Sequence, residues 1–298
     1  MDLMKDNKTD KTRKENFFKY VFMFCAFVAV ISVFAITFFV FFRGLKPFMP
    51  GTNGYSIVDF LTGLEWRPGQ NKFGILYMIV GSIFATAGAI AIGVPVGLLT
   101  AVFIAELAPK RLADIIRPAV ELLAGIPSVL YGVFGLGIIV SILKGYSPYA
   151  QGQSLLASIL VLAIMILPTV VSMSETAIRA VPSSYKEGSL ALGASKIQTI
   201  FKVIIPAARS GILAGVVLGI GRAIGETMAV MLVAGNPIAG IPTSLWDKIR
   251  PLTTNIALEM GYASGMHQDL LFSTGVVLFV FIMIINFTLN KIIQKKIS

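Results

Sequence analysis

Residues 73–105 read FGILYMIVGSIFATAGAIAIGVPVGLLTAVFIA, and this stretch decides the class of the protein because none of its 33 residues carries a charge. A helix needs roughly 20 apolar residues to cross a hydrocarbon core about 30 Å thick. Four further uncharged runs are long enough, at 20–42, 122–143, 145–174 and 270–290, and a sixth, at 210–246, is interrupted only by Arg222 and Glu226. The sequence therefore predicts six membrane spans.

The composition excludes an ordinary soluble domain. Hydrophobic residues make up 56% of the chain and charged residues 13%, about half the charged share that is usual for soluble domains. Backbone polar groups cannot stay unpaired in lipid, and the runs lack the alternation of barrel strands, so an all-α membrane protein is predicted. The run at 73–105 is too long for one straight crossing, so either its helix projects into the loops or Gly93 and Pro95 bend it.

The distribution of basic residues predicts how the chain is oriented. Of the 25 Lys and Arg residues, 17 fall in the N-terminal segment, the two loops after the second and fourth runs, and the C-terminal tail, whereas 7 fall in the connections on the opposite side. The more basic side faces the cytoplasm, so both termini are expected inside a plasma or inner membrane. This topology accounts for the net charge of +10, so anionic lipid headgroups, and not nucleic acid, are the expected neighbours.

The chain divides into three segments. Residues 1–19 form a charged cytoplasmic tail, residues 20–72 hold the first transmembrane helix and an external segment, and residues 73–298 form a core of five transmembrane helices with a cytoplasmic loop at 175–209. The external segments contain Trp66 and Trp246, which are predicted to anchor at the membrane interface, and His267, which is predicted to be a solvated loop residue. The single cysteine, Cys25, has no partner for a disulfide or a metal site, so no metal or cofactor is expected.

The loop at 175–209 carries helix signals that set it apart from the other loops. Ser184 and Glu187 have the spacing of a capping box, which predicts a helix from about residue 185. Gly193 can end that helix in a left-handed conformation, and a second short helix over 194–204 would stop at Pro206. Two short helices joined at a glycine make a compact docking element, although an amphipathic loop lying on the lipid headgroups would show a similar pattern.

The sixth run raises a different question, because Arg222 and Glu226 are charged residues in an apolar surrounding. If the span starts near Arg209, Arg222 lies about 20 Å deep at 1.5 Å per residue, where an arginine costs about 2.5 to 3.5 kcal/mol on insertion scales. On a continuous helix, Gly211, Gly215, Gly219, Arg222, Glu226 and Ala229 share one 80° arc. Small residues at this spacing let helices approach closely, so the two charges are expected to face the interior of a helix bundle.

Two interpretations of this pair stay open. In the first, Arg222 and Glu226 are i,i+4 neighbours that form a structural ion pair, although this order is the weaker one for a helix and two apolar residues could replace the pair without loss. In the second, Arg222 contacts an anion that crosses the membrane, because a guanidinium offers five donors in a planar fork that suits an oxyanion. Glu226 would then hold Arg222 while the path is empty and limit how tightly the anion binds, since release matters as much as capture.

The segment EGSLALGASKIQTIFKVIIP, residues 187–206, resembles the EAA loop of the permeases of ATP-binding-cassette (ABC) importers. Glu187, Gly193 and the apolar residues before Pro206 lie at the family's intervals, while Gly188 and Ser189 stand where the family has alanines. In that family the loop docks on a cytoplasmic ATPase subunit. The resemblance therefore implies that Glu187, Gly188, Ser189 and Gly193 couple this chain to an ATPase.

GRAIGETMAV at 221–230 and GIPSVLYG at 125–132 extend the resemblance to the C-type permease subunits of phosphate ABC importers, the PstC family, over residues 17–295. It implies a type I importer permease that passes inorganic phosphate beside a second homologous permease (PstA-like). Two copies of an ATPase (PstB-like) and an extracytoplasmic phosphate-binding protein (PstS-like) would complete the transporter. The subunit would be no enzyme, and the sequence has no G-x-x-x-x-G-K-[ST] nucleotide loop.

Other functions remain as alternatives. An ABC permease for molybdate or sulfate would use the same guanidinium chemistry. A secondary transporter would need no ATPase, but it predicts inverted repeats and broken helices, which the sequence does not show clearly. An intramembrane enzyme lacks support because no Ser/His/Asp, His/Glu or Cys cluster lies within the six runs.

Overall fold

The computed structural model describes the backbone of residues 3–49 and 54–297, and the side chains of residues 16–49, 54–288 and 291. In this part of the chain four helices are long and apolar enough to cross a membrane, and two bent helix pairs raise the number to six if each pair is one span. The all-α membrane fold predicted from the sequence is thus confirmed. The cytoplasmic placement of the termini stays a prediction, and the side chains of residues 1–15 and 292–298 lie outside the described set.

The helices follow one another along the chain with irregular connections, the longest described one between Val233 and Leu252. In chain order they are α1 (Leu3–Leu45), α2 (Ile57–Thr62), α3 (Leu76–Val102), α4 (Lys110–Gly125), α5 (Ser128–Phe134), α6 (Ser141–Lys144), α7 (Leu155–Arg179), α8 (Ser183–Ala191), α9 (Lys196–Thr199), α10 (Ile205–Ala207), α11 (Arg209–Gly225), α12 (Met228–Val233), α13 (Leu252–Glu259) and α14 (Gly265–Ile297). π-Helical turns lie at Phe103–Leu107, Gly135–Val140 and Ile200–Ile204, and 3₁₀ turns at Lys46–Phe48 and Pro68–Gln70. Two short antiparallel strands, β1 (Trp66–Arg67) and β2 (Lys72–Phe73), pair Trp66 with Phe73.

Helix α7 is the centre of the bundle and packs between α3 and α11. Glycines make both contacts close. On α11, a Cβ added at Gly215 would lie 2.7 Å from the Cβ of Met173 on α7, and one added at Gly211 would lie 2.4 Å from the Cβ of Ala177. The close approach predicted from the small residues of this span is therefore confirmed.

Helix α1 is peripheral, and it packs mainly on α14. Phe39 meets Phe272 edge to face with ring centroids 5.6 Å apart, and Arg43 forms an ion pair with Asp269 at 3.1 Å. Most of the apolar surface of its described residues is exposed, as expected of a helix that faces lipid or a neighbouring subunit.

The structure overturns the interpretation of two external residues. Trp66 is fully buried, and its Nε1 donates a hydrogen bond to Oε2 of Glu259 at 2.7 Å. His267 also contacts that oxygen, 2.8 Å from its Nε2, and Arg250 forms an ion pair with the other carboxylate oxygen. Trp66 is thus no interfacial anchor and His267 no solvated loop residue, because both pack against Phe73 and contact Glu259.

The second predicted span is a single long helix. Helix α3 continues through Pro95 into the π-helical turn at Phe103–Leu107, which gives 32 residues from Leu76 to Leu107. At 1.5 Å per residue this is about 48 Å, well beyond a hydrocarbon core of about 30 Å. The first alternative, a helix that projects beyond the core, is therefore the one observed.

The third and fourth spans begin later than the apolar runs indicated. Helix α4 ends at Gly125, and α5 starts at Ser128 after a bend of 100°. The residue before a proline avoids the helical conformation, and Ile126, which precedes Pro127, is extended with φ −71° and ψ 127°. Helix α7 starts at Leu155, where the hydroxyl of Ser154 accepts the N–H of Ala157.

The packing of α11 on α7 predicts opposite effects for two glycine substitutions. Gly215→Ala places a methyl group 2.7 Å from the Cβ of Met173, and overpacking of this kind costs about 1–3 kcal/mol. Gly221→Ala on the same helix meets no atom within 4 Å and gains helix propensity of up to about 1 kcal/mol. Thermal unfolding in mild detergent should show a lower midpoint for the first variant only, and equal midpoints would contradict this packing.

Candidate functional site

Arg222 lies in the last turn of α11, 13 residues after the helix begins at Arg209. Its side chain is half-buried, and within the described part of the chain it forms no ion pair or hydrogen bond. It lies within electrostatic range of Tyr131 on α5. The structure therefore places a guanidinium without a hydrogen-bond partner in the described residues near α5, while its depth in the membrane stays a prediction.

Glu226 is not where the continuous-helix prediction put it. Helix α11 ends at Gly225, and Glu226 is extended with φ −70° and ψ 131°. Its Oε1 accepts the N–H of Ala229 at 3.0 Å, and its carbonyl accepts the hydroxyl of Thr253 at 3.0 Å. The shared helical face and the ion pair with Arg222 are thus wrong for this structure, because the Glu226 carboxylate supports the start of α12.

Local sequence explains why the helix breaks here. Gly225 and Thr227 flank Glu226, and both residue types are weak helix formers. The first N–H groups of the new helix need acceptors, and the Glu226 carboxylate supplies one. Gly225 and Thr227 therefore indicated a helix break in the sequence. The prediction missed it because the apolar periodicity continues on both sides of Glu226.

Helix α5 forms the opposite wall of the site and packs closely against α12. A Cβ added at Gly132 would lie 2.8 Å from the Cα of Ala229. The hydroxyl of Tyr131 donates to the carbonyl of Leu123 at 2.6 Å, which ties α5 to the last turn of α4. Non-helical backbone at membrane depth persists where protein buries it or where it lines a water-filled path, so two adjacent breaks mark a polar region inside the bundle.

The chemistry of this region suits an anion. A half-buried arginine without a carboxylate partner can donate several hydrogen bonds to one oxyanion. No group of three or more His, Cys, Asp and Glu side chains clusters in the described part of the chain, so these residues offer no evident metal site. A guanidinium in this setting suits a negatively charged partner, and the region is called the anion site below.

The second candidate region is the pair of short helices α8 and α9, called the coupling element below. Gly193 joins them with φ +86°, as predicted. The N–H of Gly193 donates to Leu190 at 2.9 Å and that of Ala194 to Ser189 at 3.2 Å, which is the Schellman arrangement. A residue with a Cβ is strained at this φ, so the glycine is required by the turn.

The predicted capping box of α8 is wrong. Helix α8 begins after Pro182 without a side-chain cap, and Glu187 is exposed. A capping box exists instead at α9, where Ser195 accepts the N–H of Gln198 and Gln198 accepts the N–H of Ser195. The side chain of Glu187 is thereby left available for contacts outside the chain.

The coupling element has a buried side and an exposed apolar side. Ile200 and Thr199 are buried, and the hydroxyl of Ser189 pairs with that of Thr199 at 2.9 Å. Leu192 is 91% exposed. Other large apolar side chains exposed on the same element are Tyr185, Leu190, Ile197 and Phe201. An exposed apolar group beside Glu187 is typical of a protein contact.

The second helix of this element does not stop at Pro206. It continues through the π-helical turn at Ile200–Ile204 and α10 to Ala207, and a bend of 70° then leads into α11. Pro206 therefore lies inside a continuous helix, just before this bend, and does not end it.

Ion pairs that the sequence did not single out lie next to the coupling element. Lys186 of α8 pairs with Glu106 at 2.5 Å, and Glu175 of α7 pairs with Arg179 and with Arg117 of α4. The i,i+4 spacing of Glu175 and Arg179 could have predicted their ion pair. The other two pairs join residues 58 and 80 positions apart, which no local pattern indicates.

Comparison with known proteins identifies the family. A family model described as "Binding-protein-dependent transport system inner membrane component" matches residues 93–298. The chain is 41% identical, over 90% of its length and 88% of the relative's, to the "Probable ABC transporter permease protein YqgH" of Bacillus subtilis. It is 40% identical, over 77% of its length and 75% of the relative's, to the "Phosphate transport system permease protein PstC" of Mesorhizobium japonicum.

A solved structure agrees in fold. A bacterial alginate ABC transporter, determined in complex with its alginate pentasaccharide-bound periplasmic protein, matches with a TM-score of 0.69 and 14% identity over 96% of both chains. At this identity the likeness shows the fold alone. The family model and the relatives show that the chain belongs to the inner-membrane components of binding-protein-dependent transport systems, as a permease subunit and not an enzyme.

Proposed function

We propose that this chain is the permease subunit of an ATP-driven importer for inorganic phosphate and forms half of the translocation pathway. The observation that carries the proposal is the half-buried Arg222, which has no anionic partner in the described residues and lies just before the helix break at Glu226. A guanidinium binds tetrahedral oxyanions through several parallel donors. The name of the Mesorhizobium japonicum relative supports phosphate as the anion.

Glu226 serves the same pathway in two ways. Its carboxylate supports the start of α12 through the N–H of Ala229, which keeps the helix break in place. Its negative charge beside the path limits how tightly an anion can bind, and a conduit needs weak enough binding for release. Glu226 forms no ion pair with Arg222 in the structure, so its influence on the anion is electrostatic.

The assembly around this chain follows from the family. A binding protein delivers substrate to an inner-membrane component of this kind, and the coupling element meets an ATPase through Glu187, Gly188, Ser189 and Gly193. A second, PstA-like permease completes the pore, two PstB-like ATPases bind inside, and a PstS-like protein binds phosphate outside. The exposed Glu187 and the 91%-exposed Leu192 support the ATPase contact, because no described residue of this chain buries either side chain.

Arg222→Gln should lower phosphate uptake by about a hundredfold, because the loss of charge-assisted hydrogen bonds to the anion costs about 1.5–3 kcal/mol each. The measurement is uptake of labelled phosphate by cells that depend on this importer, with membrane insertion checked by immunoblot. Lys144→Gln, at an exposed basic residue, is the control and should transport normally. Normal uptake by Arg222→Gln would overturn the anion site, and inhibition by molybdate or sulfate stronger than by unlabelled phosphate would reassign the substrate.

Two substitutions separate the roles of Glu226. Glu226→Gln keeps an oxygen that can accept the N–H of Ala229 but removes the charge, so phosphate should bind more tightly and leave more slowly. We expect a lower KM and a lower maximal uptake rate. Glu226→Ala removes the acceptor as well and should lower uptake further. A Gln variant with wild-type kinetics would show that the charge plays no part in release.

Gly193 offers a test of the coupling element. Gly193→Val should cost about 1–2 kcal/mol, because a side chain is strained at φ +86°, and the distorted turn should uncouple ATP hydrolysis from uptake. Asparagine tolerates this conformation best among the other residues, so Gly193→Asn is the matched control. Both quantities are measured in vesicles that contain the assembled transporter, and equal coupling in the two variants would exclude a role for the turn.

A further inference from the structure

The turn that ends the second span is held from two sides by charged residues. On one side, Nζ of Lys186 on α8 lies 2.5 Å from Oε2 of Glu106, within the π-helical turn at Phe103–Leu107. The Glu106 side chain is only 11% exposed, so the coupling element is attached to this turn through a largely buried carboxylate.

On the other side, the same turn is joined to α7 and α4. Nη2 of Arg179 donates to the carbonyl of Ile104 at 3.1 Å, and its Nε donates to Oε1 of Glu175 at 2.8 Å. Arg117 of α4 donates to that same oxygen from Nε at 3.0 Å and from Nη2 at 2.6 Å. One carboxylate that is 8% exposed therefore binds two helices and, through Arg179, the turn.

Helix α4 extends this connection to the anion site. Arg117 and Leu123 lie on the same helix, about 9 Å apart along its axis. The carbonyl of Leu123 accepts the hydroxyl of Tyr131, and Tyr131 is within electrostatic range of Arg222. A displacement of α8 can thus reach Tyr131 on α5 through contacts that are polar or within one helix, and Tyr131 acts on Arg222 electrostatically.

The network borders open space. A cavity of about 350 Å³ is lined by Arg117, Glu175 and Arg179, among others, and a second of about 320 Å³ is lined by Glu106, Lys186 and Arg179. Close packing locks the core of a protein, but Arg179 borders both cavities. The ion pairs can therefore shift as a connected unit, since parting one buried charge from its partner is costly.

We propose that these five charged residues, Glu106, Arg117, Glu175, Arg179 and Lys186, are positioning residues that carry motion of the coupling element to α4 and the anion site. The inference rests on the proposed ATP-driven import, and it adds a route inside this chain. It requires that the ion pairs set how much phosphate moves for each ATP hydrolysed.

A charge exchange tests the first link. The transporter with all its subunits is purified and reconstituted, and phosphate uptake and ATP hydrolysis are measured in the same vesicles. Glu106→Lys and Lys186→Glu each place like charges together and should lower phosphate imported per ATP by about threefold or more. The double variant restores an opposite-charge pair and should recover most of that ratio.

Glu175→Gln tests the second link without altering α8 or its contact with the ATPase. The ATPase should co-purify in wild-type amounts, while phosphate imported per ATP falls by about threefold or more. Lys72→Glu, which breaks the exposed external pair of Lys72 with Glu65 at 3.1 Å, is the control and should leave the ratio unchanged.

The outcomes separate this inference from the proposed function. Failure of the wild-type transporter to import phosphate with ATP would contradict the proposed function. A wild-type ratio in Glu175→Gln, or a double variant that stays as poor as the single ones or loses the ATPase, would overturn the route while import itself stands. If the single variants instead lose the ATPase altogether, a double variant that regains both the ATPase and the amount of phosphate imported per ATP supports the route.

Discussion

Hydrocarbon offers no hydrogen-bond partner to a peptide group, and the rest of this structure depends on that constraint. Inside a membrane, a helix satisfies its own backbone, so every interruption needs another donor or acceptor. The interruptions in this chain show such partners: the Glu226 carboxylate accepts the N–H of Ala229, and the Tyr131 hydroxyl donates to the carbonyl of Leu123. Polar side chains lie deep in the bundle because the broken helices require them there.

The same constraint explains why Arg222 is unpaired. On an unbroken helix, Glu226 would lie one turn away and neutralise the guanidinium. Since the break turns Glu226 toward the N–H groups of α12, the positive charge keeps no protein partner in the described residues. A charge cannot be held in an apolar interior at small cost, so the half-buried guanidinium needs water or an anion beside it. The helix break and the capacity for anion binding thus have one cause.

Most of the architecture was predictable from the sequence. The length of the apolar runs predicts the spans, the small residues predict the close contact of α11 with α7, and Gly193 predicts the turn of the coupling element. The errors have two physical origins. At Glu226 the apolar periodicity predicted a continuous helix, but the flanking Gly225 and Thr227 favoured a break. At Ser184 the spacing to Glu187 predicted a capping box, but the helix begins directly after Pro182 instead. Trp66 and His267 share Glu259, and Trp66 lies 193 residues away from it, so no local pattern could reveal that partnership.

The positions of the breaks relative to the continuous helices have a mechanical consequence. Helices α3, α7 and α14 run unbroken through the bundle, and glycine contacts lock α7 to its neighbours. The bend of 100° before α5 falls at Pro127, which has no N–H to donate, and the bend of 70° before α11 falls at Ala208, a single residue with φ −82° and ψ −1° between two helices. One bend adjoins the coupling element and the other adjoins the anion site. Movement of the coupling element can therefore change the helix angles at both bends, while the continuous helices keep their positions. Phosphate affinity and ATPase contact would then vary together because α4 and α11 each join the two sites.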